Sequence, residues 1–163
     1  MKKRIWLSYA LIFVAVIAAG CREQRPAGFP KLYSCVIVIT QDGVPAVGIK
    51  VSLVGELTAR WAVGAITDDQ GTASIRTHGY AGAPCGLYKI VLAKTETEGR
   101  GQIGDGYSNQ GWEDMKIWSL IDPEYENAEE TPLEIDIKGA VRQTFEIGKS
   151  ERRLVEVIKQ GMP

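Results

Sequence analysis

The chain has 163 residues, with 19 Lys plus Arg against 20 Asp plus Glu and a formal net charge of −1, which excludes a polyelectrolyte and a basic nucleic-acid binder. An apolar fraction of 45% suits one globular domain, although a block of that apolar content is concentrated near the N-terminus and does not count toward a core. The only histidine is His78, so a His-rich metal centre and any site needing two imidazoles are excluded.

Lys2, Lys3 and Arg4 form a basic start, residues 5–17 are apolar apart from Ser8, and Ala18, Ala19 and Gly20 are the small residues of a processing site. Residues 1–20 read as a secretory signal, because the apolar run is shorter than the roughly 20 residues of a membrane-spanning helix. A retained anchor is the alternative. The Cys that follows Ala-Ala-Gly resembles the lipid-accepting Cys of a bacterial lipoprotein signal. This resemblance implies that Cys21 carries acyl chains and becomes the mature N-terminus, with each buried methylene adding about 0.8 kcal/mol to membrane affinity. Residues 21–31 are polar with Pro and Gly and read as a tether. Removing residues 1–20 takes away three bases and no acid, leaving 16 bases against 20 acids, so the mature chain is mildly acidic.

Spending Cys21 on lipid leaves Cys35 and Cys85 as an even pair in an oxidising compartment. Two alternatives stay open. One is a disulfide closing a loop of about 50 residues, which the chain-entropy account values at on the order of 4 kcal/mol. The other is a pair of buried, unpaired thiols.

From residue 32 the pattern is period 2, in short runs broken by turns. Residues 33–40 are apolar on both faces. Turn residues follow at 41–45, and Ile49, Val51 and Leu53 then alternate with Lys50 and Ser52. Residues 58–67 predict a strand with Trp61, Val63 and Ala65 on one face, closed by a hairpin turn at 68–71. Residues 72–77 return with Ala73 and Ile75 inward, and residues 87–94 place Tyr88, Ile90 and Leu92 on one side. Leu133, Ile135 and Ile137 form a further strand, joined by a hairpin turn at 138–140 to one carrying Phe145 and Ile147. The total of about seven strands predicts an all-β domain, a transthyretin-like or Ig-like β-sandwich, over residues 32–149.

Between residues 95 and 131 the pattern breaks into a Gly-rich and aromatic insert with Tyr107, Trp112 and Trp118. A loop of this length is a functional insertion or a cover for a sheet edge, and residues 113–120 predict a short helix packed on the sandwich. The tail, residues 150–163, predicts a short helix or an extra edge strand.

Four turn motifs stand in order between these strands. They are Asp42-Gly43-x-Pro45-x-x-Gly48-x-x-Val51, Thr67-Asp68-x-x-Gly71, Gly82-Ala83-Pro84-x-Gly86-x-Tyr88, and Tyr125 followed by Thr131-Pro132-Leu133. Together they resemble the carboxypeptidase-regulatory-like domain of small bacterial lipoproteins, a transthyretin-like sandwich. The resemblance spans roughly residues 36–147 and implies an extracytoplasmic, non-catalytic module.

Few other residues suggest chemistry. His78 with Cys85 is a weak thiolate-pair candidate, and a hydrolase built on His78 is the weakest functional alternative. The purine-pathway hydrolases of the transthyretin-like fold use several His and Arg and end in Tyr-Arg-Gly-Ser, which the Gln160-Gly161-Met162-Pro163 ending does not match. Residues 99–104 spell Gly-x-Gly-x-x-Gly but are not followed by helix-forming residues. Asp68 and Asp69 are too few carboxylates for calcium and read as a turn. No catalytic residue, metal site or cofactor is expected. The leading reading is a lipid-anchored structural or binding module of the cell envelope, with membrane lipid and an envelope protein or glycan as partners. The alternative is a carbohydrate- or peptide-binding accessory protein using Tyr107, Trp112 and Trp118 as an aromatic platform.

Overall fold

A computed structural model describes residues 25–98, 115–149 and 151–158. The signal segment, Cys21, Tyr107 and Trp112 lie outside the described residues. Two units are present, Met1–Pro30 and Lys31–Pro163, and the architecture below is that of the second.

The all-β sandwich expected from the alternation is what the chain forms, but from more and shorter strands than seven. In chain order these are β1 (Leu32–Tyr33), β2 (Cys35–Gln41), β3 (Val44–Pro45), β4 (Lys50–Val54), β5 (Val63–Ile66), β6 (Thr72–Ser74), β7 (Arg76–Thr77) and β8 (Tyr80–Ala81). They are followed by β9 (Ala83–Pro84), β10 (Gly86–Ala93), β11 (Thr95–Glu98), β12 (Met115–Ser119), β13 (Glu134–Ile137), β14 (Val141–Ile147) and β15 (Arg153–Ile158). One antiparallel sheet has the order β13-β10-β4-β5-β7-β8. The facing sheet is built on β2, with β14 parallel along one side and β3 and β6 antiparallel along the other.

Alternation produces the core directly. Val51, Leu53, Tyr88, Ile90, Leu92, Ile135 and Ile137 from the first sheet meet Cys35, Ile37, Ile39, Ala73 and Ile147 from the second in one buried cluster. Each fully buried Ile or Leu contributes about 1.5–3 kcal/mol, so this interior supplies the main force closing the two layers.

Several expected elements differ. Residues 72–77 are not one strand: β6 pairs with β2, and β7 pairs with β5 in the other sheet. Ile75, buried at the corner, donates its N–H to Cys35 O at 3.0 Å and accepts from Gly82 N at 2.8 Å. The turns at 68–71 and 138–140 do not make hairpins, because β5 and β13 belong to the first sheet while β6 and β14 belong to the second. Local turn chemistry reverses the chain but does not select the neighbour it meets. Residues 58–67 begin as a 3-10 turn, Glu56–Ala59, closed by the Thr58 hydroxyl on Gly55, and extend only from Val63.

The helix expected over residues 113–120 is the strand β12, whose residues Lys116 and Trp118 face Glu98 and Glu96 across the ladder. With β11 and β15 it forms a separate three-stranded wing in the order β11-β12-β15, and the tail adopts the edge strand of the two alternatives. A one-turn helix, α1 (Pro123–Glu126), follows. Asp122 caps it by accepting from Glu124 N, with Pro at the first turn.

Candidate functional site

The four motifs are locks at the ends of the sandwich. Asp42 (φ 52°) and Gly43 (φ 75°) are both left-handed, as the two-residue turn joining β2 to β3 requires. The Thr67 hydroxyl, buried, donates to Ala46 O at 2.6 Å and accepts from Ile49 N at 2.8 Å, tying the second motif to the first. Asp68 Oδ1 accepts from Gln70 N and Thr72 N, so this carboxylate is spent on its own turn. Gly71 (φ 69°) lies so close to β2 that a Cβ would stand 2.4 Å from Ile39 O. In the third motif Gly82 (φ 104°) approaches Tyr33 O in the same way, and the Tyr88 hydroxyl donates to Pro84 O at 3.3 Å. In the fourth, Thr131 donates to Ile90 O at 2.9 Å and receives Leu133 N, while Tyr125 and Leu133 are buried.

The two described cysteines are free thiols, so the disulfide expectation gives way to unpaired thiols, of which Cys35 is buried as that alternative expected and Cys85 is not. Cys35 is buried at the start of β2, and burial pushes its thiol pKa up to about 11. Cys85 is exposed between β9 and β10. Burial also raises the Tyr88 phenol, with smaller contributions from the charges of Cys85 and Cys35. The interior therefore favours neutral, protonated groups, the opposite of what activates a nucleophile.

His78 (φ 48°) and Gly79 (φ 90°) form the two-residue turn between β7 and β8. The imidazole packs edge-on against Trp61 with ring centres 5.7 Å apart, and its backbone N–H donates to Ala62 O. Cys85 and His78 line different grooves. Among the described residues no group of three His, Cys, Asp or Glu is placed to hold a metal ion.

Of the three aromatic residues expected to form a platform, Trp118 alone is described. Its indole N–H donates to Glu98 Oε2 at 2.9 Å, and the Arg152 guanidinium lies 4.3 Å from its ring centre. Arg152 also contacts Glu98 at 3.2 Å and Glu96 at 3.7 Å. This ring is engaged in holding β15 to β12 and β11, and one of its faces is covered by a cation. Glu126 of α1 accepts from Ser119 of β12 and from Arg153 of β15, joining the wing to the helix.

Compared with protein-family models, curated proteins and solved structures, the chain matches none. The functional reading therefore rests on the residues and their geometry.

One surface escaped the sequence reading because its residues are far apart in the chain. The outer face of the six-stranded sheet carries an open groove across β4, β5 and β7, lined by Lys50, Ser52, Val54, Gly64, Ile66 and Arg76. Alternation marked Lys50 and Ser52 as outward. Pairing of Ser52 with Gly64, and of Gly64 with Arg76, is what brings them into one row.

Proposed function

We propose that this chain is a lipid-anchored, non-catalytic binding or structural module of the cell envelope, held on the extracytoplasmic side by acyl chains on Cys21. The observation that carries this reading is the order of parts in the sequence: a basic start, a short apolar run, Ala-Ala-Gly before Cys21, a polar tether, and then the sandwich domain. The fold supports it, since the motif residues are spent on turns and sheet corners, and His78 serves a turn with no hydrogen-bonded carboxylate or thiol among the described residues. Labelling cells with an alkyne fatty acid, followed by membrane fractionation, tests it. The wild-type chain should carry label and sediment with membranes, and Cys21→Ser should lose both. A Cys21→Ser chain that keeps an uncleaved signal and stays in the membrane would support a plain anchor instead.

The accessory-protein reading, with sugar or peptide bound on the aromatic insert, predicts that Trp112→Ala abolishes binding on a glycan or peptide array. Trp118 contributes less to such a platform than expected, because its ring is already stacked under Arg152.

A further inference from the structure

We propose that the groove on the outer face of the six-stranded sheet binds an extended acidic peptide bearing aliphatic side chains. This deepens the module reading above by naming a partner class, and it rests on that reading for its biological setting.

The groove is about 640 Å³. Its floor is the row Ser52, Gly64 and Arg76, one residue from each of three adjacent strands. Strands are spaced about 4.8 Å apart, so the row is roughly 10 Å long and matches about three residues of extended chain at about 3.3 Å each. Gly64 keeps the floor bare for a reason internal to the fold: a Cβ there would stand 2.4 Å from Val51 O. The walls are aliphatic, with Ile66 on one side and Val54 on the other, 67% and 39% exposed.

Charge chooses the ligand. Two other cations of this sheet and its turns are neutralised, Lys89 by Glu134 and Lys138 by Asp136. Lys50 and Arg76 have no carboxylate partner among the described residues, and Arg76 spends only its Nε–H, on Gly79 O at 2.7 Å. No acid lines the groove. Two unpaired cations set among exposed aliphatic side chains in a mildly acidic protein suit a ligand with carboxylates and branched aliphatic groups together. No Trp, Tyr or Phe lines the groove, so it lacks the ring faces on which a sugar stacks.

The test uses the full-length protein in detergent micelles and fluorescence anisotropy of two labelled, end-capped peptides, Glu-Val-Glu-Ile and its charge-reversed counterpart Lys-Val-Lys-Ile. The acidic peptide should bind and the basic one should not. Lys50→Glu with Arg76→Glu should weaken binding about tenfold or more, since two exposed charge contacts become repulsive. Arg142→Glu with Lys149→Glu, an equal charge change elsewhere, should leave binding within about twofold. Ile66→Asp should weaken it as well, and thermal melts should show all variants folded. Equal binding of both peptides, no binding at millimolar concentration, or binding of a sulfated oligosaccharide in place of the peptide would overturn the proposal. The titration does not depend on acylation. Failure here with intact fatty-acid labelling removes the groove alone, and peptide binding by a chain without acyl mass removes the anchor alone.

Discussion

Thr67 shows how much one hydroxyl contributes at the residue scale. It satisfies Ala46 O and Ile49 N in a buried corner, so Thr67→Val should leave both backbone groups unpaired at a cost of about 1–3 kcal/mol. Chemical denaturation should show a lower midpoint with an unchanged slope. The thiols give a second expectation. Alkylation of the folded, mature protein at neutral pH should modify Cys85 and spare Cys35, and denaturant should raise the count to two if Cys21 is lipidated and to three if it is not. The raised Cys35 pKa also fixes a sign. The folded state holds the proton after the unfolded chain has lost it, so this contribution is complete below the ordinary thiol range and is lost as pH rises toward about 11. Glu146 acts in the opposite direction: hydrogen bonds from the Thr40 hydroxyl and Gly43 N lower its pKa. Its contribution is present above the ordinary carboxylate range and fades as pH falls through the lowered value. Glu146→Gln should flatten the acid limb of a stability-versus-pH curve.

Among elements, the wing depends on contacts distant in sequence. Arg152 stacks on Trp118 and reaches Glu96 and Glu98, clasping β15 against its neighbours. All four groups are solvent-accessible, so Arg152→Ala should cost about 0.5–1 kcal/mol locally. Hydrogen exchange should accelerate at amides of β12 and β15 while the sandwich melting temperature stays nearly constant. Sequence reasoning placed a helix in this region because Met115, Ile117 and Trp118 cluster closely. The cross-strand partners that select a strand, Glu96 and Glu98, are about 20 residues away. By contrast, the Asp122-Pro123 cap of α1 is a local signal that needs no distant partner.

The topology of the whole molecule makes its closure non-local. β14 lies parallel to β2 with Val141 opposite Cys35 and Ile147 opposite Gln41, so a strand more than 100 residues later covers the side of the first long one. A chain ending at Gly139 would leave β2 without its parallel neighbour and remove Ile147 from the core. It should lose cooperative unfolding, as judged by circular dichroism and by dispersion of amide proton shifts. The same non-local pairing predicts slow folding, in the range of milliseconds to seconds, measurable by stopped-flow refolding of the mature domain.

Most inward residues and the sites of chain reversal are legible from local pattern. Period 2 assigns Val51, Ile90, Ile135 and Ile147 to one interior, and Gly43, Gly48, Gly71 and Gly82 mark turns that positive φ requires. Long-range pairing selects which strand each turn delivers to which sheet, why residues 72–77 divide at Ile75, and which outward residues share a groove. The difference is one of range. Alternation and turn preference act over a few neighbouring residues, whereas a ladder is selected by burial summed over two sheets whose paired members can lie more than a hundred positions apart.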